Sequence, residues 1–121
     1  MNQTFKILLF LKRRPDMTVT AFRAYYENHH AKLCEKYSQG VSRYLRRFLD
    51  PLPDQATGRT AELPFDVITE LWFDDEPTFQ ATVKYLSSSV MPDEVVEDEK
   101  KLFDRSRTRM ATAVECESQR A

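Results

Sequence analysis

Little in this chain can carry a proton near neutral pH. Its 121 residues include two histidines, and these are neighbours, His29 and His30. Cysteine is equally scarce. Cys34 and Cys116 lie far apart and in no metal-ligand spacing, so neither a zinc motif nor a disulfide framework is expected. They read as buried or free thiols of a reduced, cytoplasmic protein. No excess of one charge exists either: 18 Lys and Arg stand against 19 Asp and Glu, a formal net charge of −1. Nucleic-acid binding needs clustered cationic surface, so no nucleic-acid partner is expected. The apolar run Ile7 to Leu11 is only a few residues long and sits between Lys6 and Lys12-Arg13-Arg14. It is too short to cross a bilayer and lacks the layout of a signal peptide, so no membrane partner is expected. There are no repeats, low-complexity tracts or linkers, and residues 1–121 read as one domain.

What is present is a core. Hydrophobic residues make up 41% of the chain and charged residues 31%. FKILLFLKR, Phe5 to Arg13, reads as a buried strand that stops at Pro15-Asp16. Thr18 is placed to cap a helix whose apolar stripe is Val19, Phe22, Tyr26, Leu33 and Tyr37, and Gly40 ends it. A second strand is expected over Val41–Leu49. A long loop comes next, over Pro51–Pro64, then a third strand over Phe65–Phe73 rich in β-branched and aromatic residues. Glu76-Pro77 opens another helix, Pro92-Asp93 a further helical segment, and a last strand is expected over about Arg107–Glu115.

The order β-α-β-β-α-β is that of the α+β ferredoxin-like fold: a four-stranded antiparallel sheet with helices on one face. Alternation along the third strand puts Val67, Thr69, Leu71 and Phe73 on one side and Asp66, Ile68, Glu70 and Trp72 on the other. A bare face carrying Ile68 and Trp72, with Tyr44 or Leu45 beside them, asks for a partner, and a second copy is the economical one. Ile68, Glu70 and Trp72 are therefore the expected homodimer interface. Glu70 is expected to pair with Arg43 or Arg46 across it.

The two histidines pose the main question. At about 100° per residue from Phe22, the stripe centres near +35°, with His29 near −20° and His30 near +80°. Periodicity leaves them tied.

The segments KRRPDMTVTAFRAYYENHHAKL, FDVITELWFDDEPTF and DEKKLFD resemble EthD-domain proteins, in order and in spacing. The resemblance implies a dimeric α+β barrel, two ferredoxin-like subunits packed sheet to sheet. It also implies a loosely defined activity, since relatives include polyketide dehydratases and decarboxylases and cofactor-free methylmuconolactone methylisomerases. The family's helix ends in a pattern like YWxxxHxPL, which places the family histidine on His30 and replaces the usual proline by Lys32. In the isomerase relatives the histidine falls one position earlier, on His29, and a tyrosine early in the second strand matches Tyr44. Their third-strand cysteine is Leu71 here, which argues against that isomerisation.

Taken as a whole, the resemblance implies a homodimer with no metal and no organic cofactor. It would be a lyase or isomerase acting by proton transfer on an oxygenated cyclic, polyketide-like or lactone-like small molecule. His30 or His29 would move the proton, and Tyr44 would hold the enolate oxygen. Tyr26, Val67, Thr69, Leu71 and Phe103 would line the pocket. The alternatives are a non-catalytic ligand-binding or accessory protein and, ranked lower, monooxygenase-type chemistry, for which the first strand lacks the asparagine usual in that branch.

Overall fold

A computed structural model describes residues 5–88 and 91–120. Strand β1 (Lys6–Leu11) leads into one long helix. Thr18 caps it, its hydroxyl accepting the Ala21 N–H at 3.1 Å. The helix has three consecutive parts: α1 (Val19–Tyr25), a π turn (Tyr26–His30) and α2 (Ala31–Glu35). Then come β2 (Arg43–Phe48), β3 (Val67–Trp72), α3 (Glu76–Ser88), α4 (Asp93–Leu102), a 3₁₀ turn (Arg105–Arg107) and β4 (Arg109–Thr112). The strands pair antiparallel in the order β2-β3-β1-β4. This is the expected α+β ferredoxin-like arrangement.

The register fixes the two faces, because directly opposed residues point the same way. Tyr44 lies opposite Leu71 and Leu45 opposite Glu70. Tyr44 therefore shares the helix side with Leu71, and Leu45 is the residue that joins Ile68 and Trp72 on the bare side. On the helix side, Leu11 and Val67 pack with Phe22, Tyr26, Ala31, Leu102 and Phe103. Ile7, Phe73 and Phe79 form a second cluster beneath α3.

Three expectations are corrected. The strands are shorter than their sequence runs: β1 yields at Leu11 because Lys12 and Arg13 turn to hold the 51–66 loop. Lys12 donates to Glu62 at 2.8 Å and to the Leu63 carbonyl at 2.9 Å, and the Arg13 N–H donates to Asp66 at 2.9 Å. The last strand loses Arg107 to the 3₁₀ turn and Thr108 to that turn's cap, and it ends at Thr112. Glu70 finds its arginine within its own chain. Arg47 donates to it at 2.5 Å and the Trp72 indole at 2.9 Å, while Arg46 lies on the opposite side, clamped by Glu27.

The third correction concerns the helix stripe. Leu33 is only half-buried and Tyr37 is exposed, whereas Ala31 and His30 are buried. The π turn explains this. The Ala31 N–H reaches back to the Tyr26 carbonyl, which adds one residue to a turn. One extra residue sets every later side chain back by about 100°, taking His30 to about −20°, Cys34 to about +20° and Leu33 to about −80°. The stripe thus passes from Leu33 and Tyr37 to His30 and Cys34, and the tie between the histidines is broken.

Candidate functional site

A cavity of about 890 Å³ lies between the sheet and the helices. Leu9, Leu11 and Leu71 form its sheet side, with Val95 and Phe103 opposite, and His30, Cys34, Tyr26 and Tyr44 project along one wall. The size suits a small organic ligand, and the lining is a mainly apolar surface with a few polar groups.

Of the residues singled out in the sequence, Tyr26, His30, Tyr44, Leu71 and Phe103 come together at this cavity. Val67 and Thr69 do not reach it. Val67 is fully enclosed in the core, and Thr69 stands behind Tyr26, their hydroxyls 2.5 Å apart. His29 points the other way, with 57% of its side chain exposed against 5% for His30. Ile68, Glu70 and Trp72 lie on the bare side of the sheet. There Lys6 and Arg43 both stack on the Trp72 ring, at 3.8 and 4.4 Å from its centroid.

The organising group is one that sequence reasoning passed over. Asp98 on α4 is 3% exposed and takes hydrogen bonds from three side chains. His30 Nδ1 lies 2.8 Å from one carboxylate oxygen; the Tyr25 hydroxyl lies 2.5 Å and His29 Nδ1 3.1 Å from the other. Burial alone would raise the Asp98 pKa, but these donors outweigh it and hold the carboxyl below the usual range. Asp98 is therefore an anion and accepts, so His30 must carry its proton on Nδ1. Burial in turn keeps the His30 pKa below that of a free histidine, against the pull of Asp98. The result is a neutral imidazole whose basic nitrogen, Nε2, faces inward. A signal for Asp98 existed: it falls between Val95 and Leu102 on the buried stripe of α4, where a carboxylate without a partner would be costly.

Beyond Nε2 the polar chain continues. Cys34 Sγ is 3.4 Å from Nε2, and the Tyr44 phenol lines the same cavity beside Cys34 and Tyr26. Burial pushes Cys34 up to about 11 and Tyr26 up to about 12, and it raises Tyr44 as well. All three are protonated donors at neutral pH. Glu99 also borders the cavity, its pKa raised by burial. Among the described residues, no group of three or more His, Cys, Asp or Glu side chains is arranged to hold a metal ion. No helix among them is long and apolar enough to cross a membrane.

The model of the EthD domain family matches residues 14–106, which takes in the π turn, β2, β3 and α4. The chain belongs to the EthD-domain family. An ethyl tert-butyl ether D (EthD) family protein from Bacillus halodurans C-125 is similar to this EthD domain, with a TM-score of 0.50 and 21% identity over 90% of this chain and 98% of its own. An EthD-like protein from Ralstonia eutropha JMP134 gives a TM-score of 0.53 at 16% identity, covering 95% and 96%. HapK from Hahella chejuensis gives 0.48 at 10% identity, covering 96% and 99%. The first two establish the fold of this EthD domain. No protein with a curated description matches it.

Proposed function

We propose that this EthD domain is a lyase or isomerase that uses neither metal nor organic cofactor. Its substrate is a largely apolar, oxygenated cyclic molecule of the polyketide or lactone kind. The observation that carries the reading is the buried Asp98–His30 pair on the wall of an apolar cavity. A neutral imidazole oriented by a carboxylate is suited to lifting a proton from carbon next to a carbonyl. The Tyr44 and Tyr26 phenols, held protonated, are suited to receive the enolate oxygen. Dehydration, decarboxylation or ring rearrangement can then proceed from the same enolate.

The test is a screen of lactones and aromatic polyketides followed by ¹⁵N spectra of the two imidazoles. His30 is expected to shift on binding and His29 to stay in place. A shift confined to His29, or none in either ring, counts against the reading. One observation favours a second reading, that of a ligand-binding or accessory protein: Nε2 already has a partner in Cys34, so the base is not free in the resting state. Binding without turnover in the same screen supports that alternative.

The protein also acts, on this proposal, as a homodimer through the bare side of the sheet. Ile68 and Trp72 lie half-buried there, and among the described residues no helix covers them. The cytoplasm, with its reducing conditions, suits the two unpaired thiols.

A further inference from the structure

We infer that Cys34, His30 and Asp98 form a nucleophile–base–carboxylate triad, and that the cavity accepts ester or lactone carbonyls for attack by the Cys34 sulfur. The inference goes beyond proton transfer but rests on the same cavity being the working site. Its basis is geometric. Sγ lies 3.4 Å from His30 Nε2, and Nδ1 of the same ring lies 2.8 Å from Asp98. The thiol, the base and the orienting carboxylate thus stand in the order a nucleophilic triad requires. Cys34 and His30 both line the cavity, and Asp98 is enclosed behind them. The local sequence explains the meeting. Cys34 comes four residues after His30, one helical turn, and the π turn swings both inward together.

Burial keeps this pair uncharged at rest, so the thiol does not wait as a thiolate. Attack is instead coupled to proton transfer, as a neutral hydroxyl is activated by histidine. Sγ bonds the carbonyl carbon as the C=O π pair moves to oxygen and the thiol proton passes to Nε2. The oxyanion takes a hydrogen bond from the Tyr44 phenol, which lines the cavity together with Cys34. When the carbonyl re-forms, the carbon–alkoxy bond breaks and the alkoxide takes the proton from Nε2, leaving a thioester on Cys34. Water, losing a proton to Nε2, then attacks the thioester, and the departing sulfur takes that proton back. The sum is ester plus water to acid plus alcohol, with no oxidant or further reactant.

The test uses the full chain carrying Cys116→Ser, which removes the exposed thiol, and p-nitrophenyl acetate as the ester. Nitrophenolate release and intact-mass spectrometry track acylation, and peptide mapping locates the acetyl group. Cys34 is expected to become acetylated, and His30→Asn to slow this by roughly 100-fold, the scale of general-base assistance. Absence of the acetyl group on Cys34 in the folded protein, while the urea-unfolded chain is acetylated there, overturns the triad. So does an unchanged rate in His30→Asn. If that variant does not fold, the pH profile of the Cys116→Ser chain decides. A midpoint that coincides with the His30 titration measured by NMR supports the triad. A rate that climbs without a break towards the thiol's own ionisation overturns it. Ligand shifts at His30 without any acylation would leave the proton-transfer reading standing and remove this one.

Discussion

Replacing Asp98 by alanine tests the site at its centre. Three donors converge on this carboxylate, and they lose different amounts. His29 is more than half exposed and turns to water at little cost. His30 is buried and directs its Nδ1–H at Asp98, out of reach of water; Tyr25 is half-buried and can be partly rehydrated. A buried donor left unpaired costs about 1–3 kcal/mol, so the two together cost about 3–4 kcal/mol, with Tyr25 at the low end. For a domain of this size that lowers Tm by roughly 10–15 °C. Asp98→Asn keeps one acceptor oxygen for Tyr25 but turns an amide donor towards His30. The ring must then switch its proton to Nε2, at a smaller cost of about 1–2 kcal/mol. Urea denaturation monitored by circular dichroism at pH 7 measures the stabilities, and ¹⁵N imidazole shifts report the tautomer. An alanine variant within about 0.5 kcal/mol of the parent, the range of an ordinary surface change, would refute the reasoning. So would a His30 that stays protonated on Nδ1 in the asparagine variant.

Acidification should weaken the fold in two stages. The folded His30 pKa lies below the unfolded value of about 6.5, so below that pH the unfolded chain binds a proton that the native state excludes. Stability should therefore fall from about pH 6.5 towards the folded His30 pKa, and His30→Gln should lack this limb in urea melts across pH. The lowered carboxyl of Asp98 adds a second loss beginning near the unfolded value of about 4. Gly40→Ala should cost about 1–3 kcal/mol by thermal melt: φ is +83° there, and an added Cβ would sit 2.7 Å from Thr78 Cγ2. His29→Gln should change stability by less than about 0.5 kcal/mol, since water replaces what it loses. Light scattering over a dilution series should show a dimer at micromolar concentration that Trp72→Glu dissociates; a parent protein that is monomeric there defeats the dimer proposal.

Local pattern was enough for the frame. Alternation along FDVITELWF assigned every residue of β3 to its face, because neighbouring side chains in a strand must point opposite ways. Pro77 in the first turn of α3 and Thr18 before the long helix bounded elements by backbone constraints that hold in any context. Gly40, expected to end that helix, lies in a turn beyond its last residue, Glu35. The face of Tyr44 was different. Its own strand allowed either side of the sheet, and only pairing with Leu71 in register settled it.

Periodicity did not choose between the histidines, and their pairing with the carboxylate came only with tertiary structure. A periodicity of 3.6 residues assumes an unbroken α-helix, and no residue in YYENHHAKL marks the extra one that the π turn accommodates. That turn sets the His30 ring 5.3 Å from Tyr26 within the same helix, while its 5.2 Å contact with Phe103 and the Nδ1 bond to Asp98 form only when α4 packs against it. Asp98 is sixty-eight positions away in sequence. The sequence thus determined which elements form and which sheet faces are apolar, since these depend on neighbours along the chain. Which histidine is buried, neutral and aimed at the cavity was decided by packing, because its energy comes from partners that no local spacing can bring into view.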